Sequence, residues 1–169
     1  MNNRFHITYW LMVIIQVIIY GCFNLPFFIN LTILPTLFLF LPVKTGRIRT
    51  LFLAFFTGLL VDLIGDGVLG LNILSLVFLA FFRNHLITLV FGRGVFARNE
   101  DISISRHGFG RTSIGIMLFL LVFLTIYILA DGAGTRTFGF NLARLAVSVI
   151  AGYIVGIFVA FIFASTSSK

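Results

Sequence analysis

Apolar residues along this chain come in long unbroken blocks, not in amphipathic stripes. The pattern is clearest from Thr50 to Phe91, where two apolar runs flank the turn Gly65-Asp66-Gly67-Val68-Leu69-Gly70. Each run is about long enough to cross a bilayer as a helix. Four further blocks of this kind follow from the same reading. The six expected spans are roughly Thr8–Phe23, Pro26–Val43, Thr50–Ile64, Gly70–Phe91, Thr112–Ala130 and Phe140–Phe163. The blocks are too long and uniform for barrel strands, and in lipid a backbone must satisfy its own hydrogen bonds. An all-α membrane protein is expected: a bundle of six transmembrane helices, residues 1–169 forming a single integral membrane domain.

Prolines and glycines punctuate the blocks. Pro26 suits a first helical turn, Pro35 is expected to kink the second span, and Pro42 to end it. Asn30 and Thr32 either satisfy backbone groups freed near Pro35 or line a cavity. Gly92–Arg111 is the longest polar segment and reads as a flexible basic linker. Tyr9 and Trp10 stand where an aromatic belt would.

Composition sharpens the membrane assignment. The mean hydropathy is +1.14, and a soluble domain of 169 residues could not bury so much Phe, Leu and Ile. The net charge of +7 does not point to nucleic acid, because its distribution has a simpler cause. With a cytoplasmic N-terminus, ten of the twelve Lys and Arg residues fall inside and only Arg136 and Arg144 outside. That asymmetry follows the positive-inside rule and places both termini in the cytoplasm. Ile19-Tyr20-Gly21-Cys22 is a poor lipoprotein box, with bulky Tyr20 at a position that wants a small residue. The lone Cys22 excludes an internal disulfide.

Candidate chemistry is thin. Gly65-x-Gly67-x-x-Gly70 matches a dinucleotide fingerprint in letters only. No strand precedes it, no acid lies about 20 residues on, and Asp66 would repel a pyrophosphate. His6, His85 and His107 fall on the inner side, while Asp62, Asp66 and Asp131 fall outside. No nucleophile elbow or metal-ligand spacing occurs. No enzymatic activity, catalytic residue, metal or cofactor is expected.

Three features invite a structural or partner role. Asp62, near a helix end, is either hydrated at the interface or turned inward and paired, with the free N–H groups starting the next span as partners. Arg83 either snorkels to the headgroups, or marks the end of its span with Leu86–Phe91 on the surface, or touches a substrate. Ser148, Gly152, Gly156, Ala160 and Ala164 form a small-residue stripe at four-residue spacing, which serves close packing in the bundle or a partner's helix.

Several of these residues occur together in an order that resembles a known family. Leu41-Pro42-Val43-Lys44-Thr45 ends the proline-containing span. Gly58-Leu59-Leu60-Val61-Asp62, Leu69-Gly70-Leu71-Asn72 and Phe78-Leu79-Ala80-Phe81-Phe82-Arg83 follow. This order resembles the rod shape-determining protein MreD family, over roughly Leu25–Phe91 by motif and elsewhere by span count. Many members carry Asn-Pro early in the second span; here Leu31 follows Asn30. The resemblance makes Gly58, Asp62, Gly70 and Arg83 the residues of interest. It implies a non-enzymatic scaffold of the bacterial cell-wall elongation complex in the inner membrane. Its partners would be the single-span protein MreC and, indirectly, the MreB filament, RodA and a transpeptidase penicillin-binding protein, with membrane lipid around it. The family also resembles the six-helix substrate-binding subunits of energy-coupling vitamin transporters. The alternative is therefore a small-molecule uptake subunit, with Asn30, Thr32, Asn72, Ser75 and Asn141 as candidate cavity groups.

Overall fold

The structure, a computed structural model, describes residues 3–22, 29–98, 101–132 and 136–167. Pro26, Glu100, Lys169 and the centre of the glycine-rich 131–136 turn lie outside the described residues. All regular structure among those residues is helical: α1 (Asn3–Cys22), α2 (Leu34–Phe40), α3 (Arg47–Val61), α4 (Leu71–Phe91), α5 (Gly94–Arg98), α6 (Ile104–His107), α7 (Phe109–Asp131) and α8 (Phe138–Ser167). A π-helical turn, Asp62–Asp66, prolongs α3. Four helical stretches are long and apolar enough to cross a membrane: Arg47–Gly65, Leu71–Phe91, Phe109–Asp131 and Phe138–Phe163. These correspond to the third to sixth expected spans.

The first two expected spans differ from the expectation. The apolar part of α1, His6–Gly21, is shorter than the other four. The second span is not one continuous helix through its described part. Residues 29–33 are irregular and only Leu34–Phe40 is helical. Pro35 causes this. It occupies the first turn of α2, where its missing N–H costs nothing, so it starts a helix and does not kink one. Pro42 sets the other boundary by holding Leu41 extended, at ψ 138°.

This short helix sits at the centre. α3, α4, α7 and α8 pack each against the next, α1 touches both α3 and α8, and α2 contacts α1, α4, α7 and α8. Every residue of α2 is buried. Irregular backbone at membrane depth is tolerated only where protein surrounds it, and here four helices do so.

The remaining departures are local. Tyr9 is not a belt residue: it is 1% exposed and bonds Thr57 inside the bundle, while Trp10 faces outward. The linker is folded against the bundle, not loose. It contains α5 and α6, buries Val95, Ile102 and Ser103, and lets Asp101 accept a hydrogen bond from the Val43 N–H at 3.1 Å.

Candidate functional site

A short helix buried in apolar surroundings exposes its orphan N–H and C=O groups to no water, so side chains must satisfy them. At the start of the 29–41 segment two neighbours, Gln16 and Ser148, do this. Gln16 on α1 accepts from the Ile33 N–H at 2.7 Å through Oε1 and donates to the Leu31 carbonyl at 3.2 Å through Nε2. Ser148 Oγ on α8 accepts from the Asn30 N–H at 2.9 Å. Thr32 Oγ1 accepts from the Leu34 N–H, and the Tyr20 hydroxyl donates to Asn30 Oδ1 at 2.9 Å.

At the other end, Arg83 on α4 does the work. It is 1% exposed. Its Nε donates to the Phe38 carbonyl at 2.8 Å, and its terminal nitrogen donates to the Leu41 carbonyl. Seven residues of helix leave the last carbonyls without N–H partners, and a guanidinium fork answers two of them with charge-assisted bonds. Arg83 therefore neither snorkels nor ends its span, because α4 runs on unbroken to Phe91.

Asp62 is the second capping centre. It is fully buried at the end of α3. Oδ2 accepts from the Gly70 N–H at 2.8 Å and the Ile73 N–H at 3.3 Å. Oδ1 accepts from the Asn72 N–H at 3.0 Å and its Nδ2 at 2.9 Å. The carboxylate thus receives the free N–H groups at the start of α4 and meets the positive end of that helix dipole. Of the two readings of Asp62, inward and paired is the one the geometry shows.

Two glycines make this cap possible. A Cβ at Gly58 would lie 2.7 Å from Ile73 Cα and 2.8 Å from Ile73 N, so α3 and the start of α4 meet backbone to backbone. Gly70 has φ +104°, a left-handed conformation that favours glycine. The π turn between them places Gly65 against Tyr20 and Val17 of α1.

The α8 stripe faces the buried segment. Ser148 bonds Asn30, while a Cβ at Gly152 would come within 2.9 Å of Leu120 and 3.6 Å of the Thr32 carbonyl. A Cβ at Gly156 would meet Ile116 at 2.8 Å and Thr36 Oγ1 at 2.9 Å. Ala160 is buried, and one turn on Phe163 stacks on Phe40 at 5.6 Å. From Ser148 to Ala160 this face is filled from within the bundle, leaving no room there for a partner's helix; the Ala164 side chain lies outside the described residues.

Gln16 and Tyr9 carry weight that sequence reasoning missed. The signal was present: Gln16 is the one amide in an otherwise apolar block from Leu11 to Ile19. At the end of α7, Asp131 pairs with Arg144 and lies 3.6 Å from Arg136. The only two cations assigned to the outer side therefore share one acid. Among the described residues, no three His, Cys, Asp or Glu side chains converge as a metal site. Comparison of the chain with family models, with curated proteins and with solved structures returns no match.

Proposed function

We propose that this chain is a non-enzymatic scaffold subunit of the bacterial cell-wall elongation complex, an MreD-like protein of the cell (inner) membrane acting with an MreC-like single-span partner. One observation carries the choice over a transporter subunit. A substrate-binding subunit needs convergent polar groups facing a cavity. Four of the five polar side chains available for that purpose are already bonded inside the bundle. Asn30 is bound to Tyr20, Thr32 caps α2, Asn72 joins the Asp62 cap, and Ser75 bonds the Leu71 carbonyl of its own helix at 2.8 Å. Asn141 sits against Gly132, where an added Cβ would be 2.8 Å away.

The motif residues behind the MreD resemblance support the same reading. Gly58, Asp62 and Gly70 join α3 to α4, and Arg83 joins α4 to α2. These are devices for a rigid bundle, which is what a scaffold presents to partners. Both termini are assigned to the cytoplasm because the cations cluster at the corresponding loops.

The test is purification from native membranes in a mild detergent. Retention of MreC-like, RodA-like and penicillin-binding proteins is the expected result. Co-purification of an ATPase module in their place would overturn the scaffold reading in favour of uptake.

A further inference from the structure

A groove of about 620 Å³ runs between α1 and α3. Trp10 forms one wall; Phe52, Phe56, Leu60 and Leu63 form the other. Arg49 is the one charged residue lining it, at the end nearer the Lys44–Gly46 turn. Arg47, two residues earlier, points elsewhere, its guanidinium 5.5 Å from the centre of the Phe81 ring on α4. Arg49 is exposed and, among the described residues, has no hydrogen-bond or ion-pair partner.

The lining and the charge select the occupant. From Arg49 to Ile64 the helix rises about 22 Å, and every lining residue other than Arg49 is hydrophobic. An apolar helix would leave the guanidinium uncompensated at the membrane interface, whereas a phosphodiester compensates it.

We propose that the α1–α3 groove binds an acidic phospholipid from the leaflet nearer Arg49, with its phosphate on the Arg49 guanidinium and an acyl chain along Trp10, Phe52 and Phe56. The groove is continuous with the bilayer, so the lipid enters laterally without any opening of the bundle. This inference is independent of the proposed scaffold role.

Trp10 is the only tryptophan in the chain, so its fluorescence reports the groove directly. The full chain is reconstituted into phosphatidylcholine vesicles containing equal mole fractions of either brominated phosphatidylglycerol or brominated phosphatidylcholine. The acidic brominated lipid is expected to quench Trp10 as though enriched about five-fold, the effect of one basic group near an anionic lipid. Arg49→Gln should abolish that preference and Arg47→Gln should retain it. Equal quenching by the two lipids in the wild-type protein would overturn the proposal, with or without any variant. So would a preference that survives Arg49→Gln. Absence of quenching by either lipid would show that protein, a second copy or a partner's helix, fills the groove instead.

Discussion

The Arg83 guanidinium closes the end of a helix 45 residues earlier in the chain, donating to the Phe38 carbonyl at 2.8 Å. Through that contact α4 grips the buried central segment. Asp101 reinforces the same end twice over, receiving the Val43 N–H and acting electrostatically on Arg83.

Replacing Arg83 should therefore destabilise the bundle in a graded way. Arg83→Leu orphans the Phe38 and Leu41 carbonyls, at about 1–3 kcal/mol for each buried group. Arg83→Lys keeps the charge but loses the planar fork, so it should fall between the two. Thermal unfolding in detergent is expected to rank wild type above Arg83→Lys above Arg83→Leu. Wild-type stability in the leucine variant would refute the capping role.

Asp62 should respond to chemistry as well as to size. Asp62→Ala leaves the Gly70, Asn72 and Ile73 N–H groups without their acceptor, a loss of about 1–3 kcal/mol. Asp62→Asn retains one acceptor oxygen and should cost less. The same unfolding measurement decides, and two silent variants would mean that water, not the carboxylate, serves the start of α4.

Glycine substitutions should separate close contact from mere helical position. Gly58→Ala forces a methyl into the Ile73 backbone, and Gly156→Ala forces one against Ile116 and Thr36. Overpacking of this kind costs roughly 1–3 kcal/mol. Gly139→Ala meets open space and should be neutral or slightly stabilising, because alanine favours helix. Gly152→Leu and Gly156→Leu should lower folded yield, not merely detach a partner. Well-folded, monodisperse leucine variants would contradict the internal packing of α8.

The proposed orientation is open to cysteine labelling in a Cys22→Ser background. An impermeant reagent applied from outside should modify a cysteine at exposed Gly67 and miss one at exposed Arg106. Labelling at Arg106 alone would invert the topology. Ser103 is a poor probe position, being 5% exposed.

The sequence by itself determined what lipid solvation demands. Long apolar blocks must be helices, so α3, α4, α7 and α8 follow from composition and length. The reversal between α3 and α4 had to fall near Gly65–Gly70, although Gly65 and Asp66 still belong to the π turn, and the Asp62 cap was one of two readings the sequence left open. The stripe from Ser148 to Ala160 announced close packing through its spacing alone. What covers that stripe was decided by tertiary structure. Nothing local says that Leu34–Phe40 is a short helix enclosed by four others, because a buried helix and a lipid-facing one are equally apolar. Nothing local links Arg83 to Phe38 or Gln16 to Ile33 either. Those bonds join groups 45 and 17 residues apart, and only the packing of α1 and α4 around the central segment brings them within reach. Once it does, a buried backbone without water leaves each of these polar side chains a single satisfying place.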